Sequence, residues 1–387
     1  MDLALDPVSP WPVLLVLCVA IVTARLLERF WGVIAPVGRY RSIEGLRGYL
    51  ALSVFLHHAC IWYFYQRDHV WAVPPSRLYT QLGQVGVAFF FMITGFLFFS
   101  KLLDHRDRGI PIDWAALFRS RARRLVPLYL FAMLLMALCV AQVSGWQLQD
   151  HLLTLIRHGL SWVFFTAWGA PNLNGVSHTF TIVAGVTWSL PYEWLFYASL
   201  PVLGGMVGLR SSRKWTAMGA LALLLLLARQ PVLIHVTSFL GGILAAWAAR
   251  HPKLQMFASS HLASWLMILL LGMEVMMFDT AYGAIQSIML TAVFVLIASG
   301  NTLFGSLTTN VSYILGQMAY SIYMLHGLCL FMAFNAINGY VAPSHLSGHD
   351  HWLTIMMIVP LLVLFSFVSF VFWERPFMNK NHQRWSE

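Results

Sequence analysis

The chain has 387 residues, of which 59% are hydrophobic and 14% aromatic, while only 10% are charged. A soluble domain carries about 25% charged residues, so this composition excludes a large water-soluble globule, and its aromatic richness excludes disorder. The apolar share amounts to roughly 230 residues, which at about 20 per crossing suits ten or eleven transmembrane helices with little left over.

The first ten residues lack the basic start and small-residue cleavage site of a signal peptide, so the first apolar run is expected to be retained. Hydropathy places helical spans at 11–30, 46–65, 82–101, 123–143, 188–209, 214–229, 231–249, 261–278, 282–299, 312–336 and 352–373. The apolar stretch 152–169 is interrupted by Arg157, His158 and Gly159. Loop charges decide how it is read. Basic residues cluster after the first span (Arg39, Arg41, Arg47) and between the third and fourth (Lys101, Arg106, Arg108, Arg119, Arg121, Arg123, Arg124). They recur at Arg210, Arg213 and Lys214, at Arg250 and Lys253, and at Arg375, Lys380 and Arg384. All of these share one side only if 152–169 lies in the outer interface without crossing; otherwise the later basic loops flip outward, against the positive-inside bias. The expected fold is all-α, a polytopic transmembrane helical bundle of about eleven spans, with the N-terminus outside and the C-terminus cytoplasmic.

The net charge of +9 finds no water-exposed domain on which to form a basic face, so no nucleic-acid partner is expected. Membrane lipids are the expected surroundings. Cys18, Cys60, Cys139 and Cys329 have neither metal-ligand nor redox spacing. No metal site and no permanently bound cofactor is expected.

Ionisable residues inside apolar spans are costly and mark candidate chemistry. The second span begins RSIEGLRGYLALSVFLHHA. Arg47 stands near its cytoplasmic end and His58 about 16 Å further along the axis, at 1.5 Å per residue. Neighbouring helical positions diverge by about 100°, so His57 and His58 cannot both face one cavity. Either histidine is a site residue or a hydrogen-bonding partner of a neighbouring helix. In WSLPYEWLFYASLP, Glu193 is a snorkelling carboxylate or a group that polarises a histidine, or one that binds a hydroxylated substrate. Trp188, Tyr192, Trp194 and Tyr197 suit an aromatic belt as well as they suit stacking on sugar rings.

The stretch Glu44–His58 resembles the signature of the membrane acyltransferase-3 family: an acidic residue, Gly-Leu-Arg-Gly, an apolar run, then a histidine placed by its count from the arginine, which selects His58 over His57. Further stretches recur in that family's order: VGVAFFFMITGFLFF, RRLVPLY, TWSLPYEWLFY, GQMAYSIYMLH and a closing WERPF. Glu44 replaces the usual aspartate and Thr94 the usual serine before Gly95. The resemblance divides the chain into an N-terminal extension with one extra span (1–40), an acyltransferase-3-like transmembrane domain (41–378) and a short cytoplasmic tail (379–387).

The resemblance implies an integral-membrane O-acyltransferase of the bacterial inner membrane, moving an acyl group, most commonly acetyl, from cytoplasmic acyl-CoA to a hydroxyl of a glycan or lipid-linked saccharide at the outer face. His58 is then the base or transient acyl carrier and Glu193 the group that orients or charge-stabilises it. Arg47, Arg121, Arg123 and Arg124 hold the CoA phosphates, for which guanidinium is suited. Trp188, Tyr192, Tyr320, Tyr323 and His326 are implied to line the substrate site, with interhelical packing as the alternative for the last three. The competing function is a proton-coupled transporter or flippase that uses the same histidine and glutamate as a relay. The H-x-x-x-x-D spacing of His345 and Asp350 falls in an expected outer loop where acyl-CoA is absent, and His345, His349 and His351 form only a weak metal motif. No Gly-x-Ser-x-Gly elbow supports a serine nucleophile.

Overall fold

The computed structural model describes residues 6–31, 40–228, 233–338 and 346–378. Among them no strand occurs, and the only extended pairing is an isolated bridge between Leu173 and Val176. In lipid each backbone polar group must be satisfied locally, and the helix does this within one segment. The helices are α1 (Trp11–Trp31), α2 (Arg41–Asp68), α3 (Arg77–Arg108), α4 (Trp114–Val143), α5 (Leu152–Val163), α6 (Ser189–Met206), α7 (Arg213–Ala228) and α8 (Leu233–Ala248). They continue with α9 (Pro252–Ala258), α10 (His261–Met277), α11 (Ala284–Ala298), α12 (Asn310–Gln317), α13 (Ala319–Asn338) and α14 (Gly348–Ser369). A π turn, Phe370–Glu374, then leads into the short α15, Arg375–Met378.

Among the described residues four helical segments are long and apolar enough to cross a bilayer by themselves: Arg77–Arg108, Trp114–Val143, Ala319–Ile337 and Gly348–Met378. A fifth results if α9 and α10, bent by 75°, count as one. Large apolar side chains such as Leu134, Leu224, Leu269, Ile288 and Met357 point outward, an outer surface suited to lipid and unsuited to water. The chain is a membrane protein. Helix α5 has twelve residues, about 18 Å at 1.5 Å per residue and short of a hydrocarbon core of about 30 Å. Its Leu152, Leu153, Ile156 and Leu160 are exposed while Trp162 is buried. The span placed at 312–336 is broken at Met318, just after Gly316 abuts the Glu44 carbonyl of α2.

Side-chain contacts tie the helix ends into two opposite faces. At one face Arg250 after α8 reaches Asp104 and Asp107 of α3, and Phe118 of α4 stacks on Trp215 of α7 at 5.4 Å. The Lys/Arg-rich turns after α3, α6 and α8 therefore meet there. At the other face Arg77 pairs with Asp279 at 2.6 Å, and the Tyr79 hydroxyl donates to the Ser9 carbonyl at 2.8 Å.

Helices α2 and α3 form the centre, packed on each other and on α8, α12 and α13. Small residues permit the close approach. A Cβ on Gly48 would meet the Leu315 and Gly316 backbone at 2.6–2.8 Å. This explains a glycine of the Gly-Leu-Arg-Gly motif: it lets α2 lie against α12 and fixes the direction in which Arg47 projects.

Candidate active site

A cavity of about 120 Å³ lies between α2, α3, α4, α6 and α13. Arg47, Arg121 and Arg124 line one part of it, with Glu193 and Tyr197 beside them and Ser189, Tyr320 and Tyr323 on other walls. The α3 face that lines it repeats at helical spacing through Val87, Phe90, Phe91, Thr94, Leu97 and Phe98. Helix α3 thus serves as a ruler from the tyrosines to the arginines.

Glu193 lies one turn into α6, so Tyr197, four residues on, shares its face. The Tyr197 hydroxyl donates to Glu193 Oε1, and the Thr94 hydroxyl donates to the same oxygen at 3.5 Å. Arg121 lies beside Tyr197 and Glu193, with its guanidinium 5.0 Å from the Phe98 ring centre. Glu193 faces the charges of Arg121, Arg47 and Arg124. Buried charge is retained only when compensated, and this cluster supplies its own counter-charges.

Glu374 completes the balance. The π turn carries it inward, where it is 1% exposed and accepts from the Ser321 hydroxyl of α13. It faces Arg124 and Arg47. Its WERPF motif is visible in the sequence, but nothing there assigns the carboxylate a role. Tyr197 was legible from its spacing to Glu193, whereas the π turn that aims Glu374 has no such local signature.

Beyond Tyr323 lie the histidines. His326 is fully buried, and its ring centre is 6.2 Å from that of Tyr323. His326 Nδ1 is 3.0 Å from the Ile322 carbonyl, and His326 Nε2 is 2.9 Å from His58 Nδ1. A carbonyl only accepts, so the proton of a neutral His326 sits on Nδ1 and its Nε2 is an acceptor. His58 Nδ1 is then the donor, which also agrees with the Val54 carbonyl one turn away facing that ring. The two rings hold one orientation: Ile322 C=O accepts from His326, His326 accepts from His58, and the lone pair of His58 lies on Nε2. Trp71 stacks over His58 with centroids 6.1 Å apart, and Phe180 abuts Trp71.

His57 takes the opposite role. Its Nδ1–H donates to the Tyr79 carbonyl at 2.8 Å, and its ring occupies the space that a side chain at Gly83 would need. It joins α2 to α3.

The structure sorts the other expected residues. Tyr320 and Tyr323 line the cavity, with the Tyr320 hydroxyl on the Leu125 carbonyl at 3.0 Å and the Tyr323 hydroxyl 2.9 Å from Ser189 Oγ. Three of the expected arrangements are placed differently in the structure. The hydrogen-bond partner of His58 is His326, while Glu193 is engaged by Tyr197 and Thr94. Arg123 is not among the cavity residues, because it stands about 100° and 200° around α4 from Arg124 and Arg121. Trp188 and Tyr192 do not line the cavity either; they pack around His235, with centroids at 4.8 and 5.1 Å. The α6 turn that points Ser189 and Glu193 inward points those rings away.

His345 lies outside the described residues. His351 donates through Nε2 to the Ala59 carbonyl at 2.9 Å and stacks on Phe334, while Ser347 caps the start of α14 by accepting from the Asp350 backbone N–H at 3.1 Å. Among the described residues no group of three potential ligands could hold a metal.

No curated protein and no solved structure matches the chain. A family model described as an acyltransferase domain matches residues 40–374, a range that begins just before α2 and ends on Glu374. That range holds the arginine cluster, Glu193 and both paired histidines, and the chain belongs to the membrane acyltransferase-3 family.

Proposed function

We propose that the protein is an O-acyltransferase that takes an acyl group, most simply acetyl, from cytoplasmic acyl-CoA and places it on a hydroxyl of a glycan or lipid-linked saccharide at the outer face of a bacterial inner membrane. The observation that carries this reading is one cavity lined by Arg47, Arg121 and Arg124 whose Tyr323 wall abuts the His326–His58 pair. The face that gathers the Lys/Arg-rich turns is the cytoplasmic one under the positive-inside bias. This arrangement fits about eleven crossings, with α5 lying in the outer interface and the N-terminus outside. Acyl-CoA is a co-substrate in this scheme, and no resident cofactor or metal takes part.

His58 Nε2 accepts the proton of the acceptor hydroxyl as its oxygen attacks the thioester carbonyl. The resulting imidazolium keeps its Nδ1–H on His326 Nε2. When the tetrahedral intermediate collapses, the C–S bond breaks and the thiolate takes the proton from His58 Nε2. His326 holds the ring and tautomer throughout, the part an orienting carboxylate plays in hydrolytic triads. The guanidinium groups suit the phosphates of CoA, since bidentate charge-assisted hydrogen bonds to phosphate are strong.

The test is transfer of labelled acetyl from acetyl-CoA by purified protein in vesicles, with mass spectrometry of surface glycan from cells with and without it. Transfer that disappears in His58→Ala, with insertion and folding retained, is the expected result. Solute movement without any acyl transfer would replace this reading with a transporter.

A further inference from the structure

The two rings that α6 turns away from the cavity help to enclose a histidine. His235, near the start of α8, is 7% exposed. Its ring centre lies 4.8 Å from that of Trp188, 5.1 Å from Tyr192, 5.7 Å from Phe91 and 5.9 Å from Tyr282. Tyr282 stands in the turn between α10 and α11. Gln84 of α3 fixes that turn by accepting from the Thr280 hydroxyl and the Ala281 N–H, both at 2.7 Å. The same turn holds Asp279, the partner of Arg77, so this aromatic basket lies toward the end of the bundle opposite the Lys/Arg-rich turns. Trp188 and Tyr282, each 37% exposed, form its outer rim.

Neither nitrogen of His235 has a hydrogen-bond partner among the described residues. The other buried histidines differ, since His57, His326 and His351 each bond a backbone carbonyl. A buried polar group without a partner destabilises a fold, and a phenylalanine would fill the same aromatic surroundings without that cost. A neutral imidazole offers one N–H and one lone pair, which match the acceptor and donor of a hydroxyl. The five side chains include no lysine, arginine or carboxylate, so the chemistry they recognise is uncharged and hydroxylated. Aromatic walls around a few polar groups are usual for small-molecule sites, and the C–H face of a sugar suits the negative face of an aromatic ring. Phe91 joins the basket to the reaction, because it also lines the arginine-bearing cavity. A saccharide in the basket is separated from that cavity by a single ring.

We propose that His235, Trp188, Tyr192 and Tyr282 form the subsite that holds a sugar ring of the acceptor. His235 bonds a ring hydroxyl, and the aromatic faces cover the C–H surface. A glycan and a lipid-linked saccharide present the same ring chemistry here. This inference rests on the acyltransferase reading above and assigns a role to His235 and Tyr282, which that reading leaves without one.

The test measures transfer of labelled acetyl by full-length protein in phosphatidylcholine nanodiscs, which expose both faces. The acceptors are surface glycan stripped of its esters by mild alkali and the lipid-linked saccharide fraction of the same cells. His235→Phe keeps a ring in place and removes both nitrogens. It is expected to raise the acceptor KM by about tenfold, the loss of one well-placed hydrogen bond, and to leave the acetyl-CoA KM unmoved. Its melt should be no lower than that of the wild type, because two unbonded buried atoms are gone. His235→Gln, which restores a donor and an acceptor, should recover part of the acceptor KM, and Trp188→Ala should lose at least as much as His235→Phe. The fraction whose KM moves identifies the source of the sugar. An unchanged acceptor KM in His235→Phe would make the imidazole a packing residue and overturn the subsite, as would an equal rise in both KM values. If neither fraction accepts acetyl, retention of each on immobilised protein decides. Retention that depends on His235 keeps the subsite and removes the acyltransferase reading, whereas retention that is absent or indifferent to His235 overturns the subsite.

Discussion

His57 and His58 are adjacent in sequence, yet they stand in two different regions of the molecule. The His57 side of α2 faces α3, where the ring meets a backbone carbonyl and a glycine and the contact ends. The His58 side faces α13, where the ring joins a directed chain through His326 to Ile322 and keeps its Nε2 lone pair uncommitted. The same side chain serves as a rivet on one face and as a reactive group on the other. Burial separates them only in part, His57 being buried and His58 half-buried. The separation comes from what each Nδ1 donates to, and from whether the remaining nitrogen has reacting partners within reach.

The largest expected effect follows from removing the lone pair. His58→Ala should lower the acyl-transfer rate by roughly a thousandfold, the size of a lost general base. Its thermal melt in detergent should stay close to wild type; substantial residual transfer would return His58 to a packing role. His326→Ala should cost about a hundredfold, because His58 is then free to rotate and change tautomer. The acetyl-CoA KM should hardly move, and a change in KM alone would mean that His326 contacts the donor instead.

On the cavity side Glu193→Gln should reduce transfer by about tenfold, as it leaves Arg121 and Arg47 without one buried counter-charge. Tyr197→Phe should reproduce part of that loss if the tyrosine is the link between Glu193 and Arg121, as measured by donor KM. The smallest effect on chemistry belongs to His57→Leu. Loss of its bond to Tyr79 should destabilise the fold by about 1 kcal/mol while kcat changes less than about twofold. A fall comparable to that of His58→Ala would erase the contrast between the two faces.

Much of this was legible in one dimension. The hydropathy spans lie on helices, the arginines of α2 and α4 appeared as charges at span ends, and the count from Arg47 singled out His58. Tyr320, Tyr323 and His326 follow a helical spacing that the structure turns toward one region. Trp188 and Tyr192 show the limit of such reading: aromatic residues flanking a site motif look alike whether the helix turns them inward or outward, and α6 turns them toward His235. Arg123 shows the same limit within a run of three basic residues, where one position of helical rotation removes it from the cavity. Glu374 could not be assigned from its motif, because its direction depends on a π turn.

The sequence by itself determined the solvent and the secondary structure. Apolar composition demands lipid, and lipid demands helices, because each helix satisfies its own backbone within a short range of residues. Only the tertiary structure decided which polar side chains meet. The bond between His58 and His326 joins residues 268 positions apart, and no local propensity encodes it. It exists because Gly48 and Gly316 let the α2 and α12 backbones close up, and α13 follows directly from α12. That packing brings two rings together in a geometry that leaves one nitrogen for chemistry.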